Sequence, residues 1–103
     1  MIVTKKISCK KGEEYLHDFI NPHGALVKCR VTEGKGEITL YEDDEKIVTY
    51  KLSIEPGVST FVQLNTDREH KKWRVTVKGT GNGDNKFELE LPQKARSKPV
   101  KSI

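Results

Sequence analysis

The chain has two cysteines, one tryptophan, four prolines and no long hydrophobic run in 103 residues. No stretch approaches the ~18 consecutive apolar residues of a transmembrane helix. The opening Met1-Ile-Val-Thr-Lys-Lys-Ile-Ser lacks the apolar core of a secretory signal, so the expectation is a cytoplasmic protein, or a secreted one if an upstream leader was removed. With apolar residues at 34% and charged residues at 33%, the core must be thin. The length allows one domain of ordinary size. What the chain does have is charge divided by region. Lys5, Lys6, Lys10 and Lys11 lie in residues 1–12 with no acid, and Lys94, Arg96, Lys98 and Lys101 lie in 93–103 with no acid. Residues 13–92 keep 11 basic residues and all 15 acidic ones. The net charge of +4 therefore describes basic ends on an acidic body.

Apolar residues recur with a period of two from one end to the other, which marks half-buried strands. Trp73, Val75 and Val77 alternate with polar residues, as do Phe87, Leu89 and Leu91, across the Gly-rich connection 79–85. Pairing positions that sum to 164 predicts a hairpin with Trp73 opposite Leu91, Val77 opposite Phe87, and Arg74 opposite Glu90 on the outer face. A second hairpin turns at Glu42-Asp-Asp-Glu45. A sum of 88 places Leu40 opposite Val48 and Ile38 opposite Tyr50 inside, with Tyr41 opposite Ile47 outside. Further strands are expected at 2–8, 25–32 and 58–65, the second with Ala25, Val27, Cys29 and Val31 on one face. Over 13–20, Tyr15, Leu16, Phe19 and Ile20 are spaced as in a helix, but eight residues make a marginal helix, and a strand is expected. The fold class that follows is an all-β, two-sheet antiparallel sandwich of about eight strands over residues 1–92, with 93–103 as a basic, flexible C-terminal tail.

Tyr15-Leu-His-Asp-Phe19 and Pro22-His-Gly24 are followed by Leu26-Val-Lys-Cys-Arg-Val31 and Gly36-Glu-Ile-Thr-Leu-Tyr41. Trp73-Arg-Val-Thr-Val77, a Gly-rich turn and Phe87-Glu-Leu-Glu-Leu91 close the series. This order of strands and turns over residues 13–91 resembles the bacterial pre-peptidase C-terminal type of β-sandwich. The resemblance implies a jelly-roll-like fold. Members of that family are typically exported accessory modules attached to enzymes.

Catalytic chemistry finds little support. Asp67 and His70 share a loop with no evident nucleophile, and Ser59 and Thr60 fall in an expected strand. Glu88 and Glu90 face outward, where a solvated carboxylate gains no acid–base advantage. The glycines at 79, 81 and 83 join strands, whereas a phosphate-binding loop opens a helix. Cys9, His17, His23 and Cys29 are the right residue types for zinc, but their spacing lacks the close pairs that form half-sites. A Cys9–Cys29 disulfide would need neighbouring strands and an oxidising compartment. Two reduced thiols are expected instead. The run Glu42–Glu45 lacks the alternating ligands of a calcium loop and is expected to be a solvated turn. Neither cofactor nor metal is expected.

Two non-catalytic roles remain. Tyr41, Ile47, Phe61 and Leu26 fall on the outward parity of their strands. If several of them share one sheet, they form a patch for a protein or carbohydrate partner. Tyr41, Ile47 and Phe61 are the residues expected to carry it. The alternative is nucleic-acid binding through Lys94, Arg96, Lys98 and Lys101, helped by Lys5, Lys6, Lys10 and Lys11, with steep salt dependence. An aromatic stacking platform beside those lysines is missing.

Overall fold

The computed structural model describes residues 2–21, 25–66, 71–92 and 95–97, all of them in strands or the connections between strands. The strands are β1 (Ile2–Cys9), β2 (Glu14–Asn21), β3 (Ala25–Glu33), β4 (Lys35–Glu42), β5 (Glu45–Ser53), β6 (Phe61–Thr66), β7 (Lys71–Gly79), β8 (Asn85–Pro92) and the short β9 (Ala95–Ser97). They form two sheets, one ordered β1-β8-β3-β6 and the other β5-β4-β7-β2, extended by β9.

This order is a jelly roll. Strands pair as β1 with β8, β2 with β7, β3 with β6 and β4 with β5, all antiparallel. The chain is in effect one long antiparallel ribbon, doubled back at the β4–β5 turn. Wrapping the ribbon sends alternate pairs to opposite sheets, and β3–β8 and β4–β7 contacts then join the pairs within each sheet. The inner faces meet in a core of Phe19, Val27, Cys29, Val31, Ile38, Leu40, Leu52, Leu64, Trp73, Val75, Val77, Phe87, Leu89 and Leu91. Fully burying one such aliphatic or Phe side chain contributes about 1.5–3 kcal/mol before ordering costs.

The expected β7–β8 hairpin does not form. Strand β8 lies between β1 and β3, and β7 lies between β4 and β2. Trp73 is opposite Phe19 and Glu42, and Arg74 is opposite Asp18 and Tyr41, so neither meets Leu91 or Glu90 as a strand neighbour. The alternation had identified the inward faces correctly, but those faces look at each other across the core. Segment 80–84 is the crossover between sheets.

The β4–β5 hairpin has the expected register at Ile38–Tyr50 and Leu40–Val48, then shifts, so that Tyr41 lies opposite Lys46 rather than Ile47. The shift is a bulge beside a two-residue turn in which Asp43 and Asp44 take positive φ (49° and 67°), the geometry that closes a tight hairpin with native twist. Segment 14–21 is a strand: Tyr15, His17 and Phe19 are buried on its inner face. Residues 59 and 60 precede β6 in the connection from β5 rather than lying in a strand. Ala95–Ser97 pairs with β2 instead of belonging to a free tail.

One end of the sandwich is held by a single buried amide. Asn85 is fully buried. Its two Nδ2 hydrogens are shared among the carbonyls of Cys9 (2.9 Å), Gly81 (3.0 Å) and Gly83 (3.3 Å). Its Oδ1 accepts from the backbone N–H groups of Lys35 (2.9 Å) and Gly81 (3.1 Å). One side chain thereby ties the end of β1, the start of β4 and the 80–84 crossover, with every polar valence used. Gly34 supplies a positive φ of 75° beside it, and a Cβ at Gly34 or Gly81 would collide with Asn85 Oδ1.

Candidate interaction surface

The jelly roll leaves β1 and β6 at the edges of one sheet and β5 and β9 at the edges of the other. Edge strands offer unpaired backbone groups, and proteins commonly blunt them with charge. On β1, Lys5 does this: it sits opposite Leu89, on the inward parity, and is half-buried. On β5 the bulge, Lys46 and Lys51 have a similar effect, but the strand also carries exposed apolar side chains.

Among the described residues seven large hydrophobics are exposed, and five of them, Ile47, Tyr50, Ile54, Val58 and Phe61, fall within one fifteen-residue stretch. That stretch runs along the free edge of β5, through the connection to the other sheet and into the free edge strand β6. Tyr50 has inward parity but is 45% exposed, because an edge strand is covered on one flank only. Leu52, on the same face and nearer the connection, is buried. Beside this margin a groove of about 340 Å³ is lined by Lys35, Glu37, Lys51, Glu55, Val58 and Thr80 among others. Lys35 Nζ reaches Glu55 Oε1 at 3.5 Å across it.

The three residues expected to form one patch are divided between the sheets. Tyr41 on β4 is half-buried, Ile47 is exposed at the bulge of β5, and Phe61 belongs to β6 of the opposite sheet. Leu26 lies on β3, in the sheet of Phe61. No single sheet face therefore gathers them. Ile47 and Phe61 instead stand at the two ends of the 47–61 stretch. Phe61 also has company on its ring: the Arg30 guanidinium carbon lies 5.7 Å from the centroid, within cation–π range. Tyr50, Ile54 and Val58 were not anticipated. Alternation assigned Tyr50 to the core, but Ile54 and Val58 flank Pro56-Gly57, and apolar residues around such a turn are a usable sign of exposure.

Elsewhere the surface is arranged in opposed charges. Across the first sheet, Lys6 faces Glu88, which faces Arg30; Thr4 faces Glu90, which faces Lys28. Lys86 Nζ and Glu33 Oε1 are 3.6 Å apart. On the second sheet, Arg74 Nε donates to Asp18 Oδ1 at 2.8 Å and Arg74 Nη1 lies 3.5 Å from Asp44. The bond to Asp18 raises the Arg74 pKa further. The acidic turn is docked on β7, since the Lys72 N–H donates to Asp43 Oδ1 (3.1 Å) and the Asp43 N–H to the Lys72 carbonyl (2.7 Å).

Of the basic residues considered for nucleic acid, Lys5 and Lys6 are strand residues facing Leu89 and Glu88. Lys10 and Lys11 are exposed at the β1–β2 turn. Arg96 lies in β9, in register with Asp18. Lys94, Lys98 and Lys101 lie outside the described residues, as do His23, Asp67 and His70.

The titratable groups of the core are dispersed. Cys9 and Cys29 are buried free thiols, and β8 separates their strands, so the adjacency a disulfide would need is missing. Burial pushes the Cys29 thiol up to about 12, which keeps it protonated and unreactive. His17 is fully buried, with its ring centroid 5.8 Å from that of Phe19 and a hydrogen bond to the Pro92 backbone. Burial lowers its pKa. Among the described residues no three His, Cys, Asp or Glu side chains are grouped to hold a metal. Compared with protein-family models, curated proteins and solved structures, the chain matches none.

Proposed function

We propose that this protein is a non-catalytic binding module that holds a protein partner along the β5–β6 margin. The observation that carries this is the concentration, in residues 47–61, of five of the seven large hydrophobics exposed among the described residues, on a segment whose strand edge pairs with no other described strand. Apolar side chains beside free backbone donors and acceptors are the combination used when an extended segment adds to a sheet: the backbone supplies affinity and the side-chain contacts supply selectivity. The chemistry favours protein over carbohydrate. Ile47, Ile54 and Val58 are aliphatic, and the aromatic ring best placed to stack on a sugar, Phe61, already has Arg30 over it. An accessory role is also what the resemblance to pre-peptidase C-terminal domains implies.

The test compares the wild-type chain with Tyr50→Ser/Ile54→Ser/Phe61→Ser as bait, with captured proteins quantified by mass spectrometry across a salt series. Support would be a partner lost by the variant and held by the wild type with weak salt dependence. A partner retained equally by the variant would overturn the margin as the contact surface. Capture that collapses as salt rises would instead point to the lysines and to nucleic acid.

A further inference from the structure

Asn82 in the 80–84 crossover and Asn85 at the start of β8 stand in contrasting settings. Asn85 is fully buried and held by five hydrogen bonds. Asn82 is exposed, and its side chain makes no hydrogen bond among the described residues. It is followed by Gly83, also exposed, around which an added Cβ would find nothing within 4 Å. Asparagine is a thermolabile residue, and its lability depends on whether the next backbone nitrogen can reach its side-chain carbonyl carbon. A glycine there removes the Cβ that hinders the approach and widens the accessible backbone conformations.

We infer that Asn82 is a site of spontaneous modification, converting to aspartate and isoaspartate in the folded protein. The Gly83 nitrogen attacks Asn82 Cγ, a C–N bond forms, and ammonia leaves with the amide nitrogen to give a five-membered succinimide. Water then opens the ring. Attack at Cγ yields aspartate. Attack at the main-chain carbonyl yields isoaspartate, with the backbone rerouted through Cβ and lengthened by one methylene. The added length falls between Gly81 and Gly83, whose carbonyls both accept from Asn85 Nδ2. Isoaspartate at position 82 therefore pulls on the Asn85 hub, whereas aspartate adds only an exposed charge.

The experiment incubates the full chain at mildly alkaline pH and body temperature, with peptide mapping by mass spectrometry over time. Asn82 gains the mass of an amide-to-acid change while Asn85 does not. Gly83→Ala, a substitution with open space and no positive φ to oppose it, slows the gain about tenfold, equivalent to about 1.4 kcal/mol in the barrier. Asn82 keeping its amide as long as Asn85 does, or Gly83→Ala converting at the wild-type rate, would overturn the assignment. The link to the hub has its own readout. The isoaspartyl fraction unfolds at a lower urea midpoint, and Asn82→Asp at the wild-type midpoint. Equal midpoints for the isoaspartyl fraction and the wild type would overturn the link.

Discussion

The Asn85 end and the β5–β6 margin solve the same problem in opposite ways. At the Asn85 end, the end of β1, the start of β4 and the 80–84 crossover converge on one fully buried amide. That amide satisfies five backbone groups, and the glycines beside it exist to let the backbone come that close. Along the margin the sheets stop, and apolar side chains with backbone valences are left facing solvent. The first region spends its polar groups on itself and fixes the fold. The second keeps its contacts unspent, and that is where a partner can gain binding energy without competing with the core.

If this contrast holds, substitutions in the two regions separate stability from binding. The largest effect is expected at Asn85. Asn85→Ala orphans the Gly81 N–H and the Cys9 and Gly81 carbonyls, whose bonds to the amide are buried, and with each orphaned group costing roughly 1–3 kcal/mol the loss should be about 3 kcal/mol or more. Urea unfolding measures it. A loss below about 1 kcal/mol would mean that water replaces the amide and that the end is less closed than it looks.

The next effect is pH-dependent and comes from His17. Burial lowers its pKa in the fold, so the unfolded chain takes up a proton that the folded chain refuses. Stability from this group is present above the ordinary histidine value of 6.5 and is lost as pH falls from there toward the lowered folded value. The slope for one proton is at most about 1.4 kcal/mol per pH unit. Unfolding free energies measured over this range should fall with pH for the wild type and flatten for His17→Gln. Parallel curves would assign the acid sensitivity to other groups.

The smallest effect sharpens the other half of the comparison. Tyr50→Ser and Ile54→Ser should each shift stability by no more than about 0.5 kcal/mol, as exposed positions do, even where they abolish partner capture. A thermal-melt shift well beyond that would show that the margin contributes to the fold.

Much of this fold was legible in the sequence, and the failures share one cause. Alternation reports which side chains point inward. It does not report which strand lies alongside. Ile38–Tyr50 and Leu40–Val48 were paired correctly because a two-residue turn leaves the chain one neighbour to return to. Trp73–Val77 and Phe87–Leu91 have equally clean alternation, yet their connection is long enough to span the ~10 Å between packed sheets. Two inward faces look the same in sequence whether they share a sheet or oppose each other. In the 13–20 segment, Leu16 and Ile20 on the outer face imitated a helical stripe while Tyr15, His17 and Phe19 filled the core. The candidate surface was partly legible for a related reason. Outward parity found Ile47 and Phe61, but parity says nothing about where a sheet ends, so Tyr50 was placed inside. Asn85 gave no sign beyond its position before an alternating strand, since a buried amide is recognisable only by the partners the tertiary fold brings to it.

The ribbon also sets an order of assembly. Of the four ribbon pairs, β4 and β5 are the one joined by a two-residue turn, and each other pair encloses the ones before it: β3 with β6, then β2 with β7, then β1 with β8. Closing an outer pair first would cost the entropy of a long loop, whereas each pair closed after its inner neighbour adds only a short one. Folding is therefore expected to run like a zipper from the Asp43–Asp44 tip outward. In refolding kinetics, a substitution at Leu40 should slow folding, while one at Leu89 should mainly speed unfolding. The reverse pattern would place the nucleus at the chain ends.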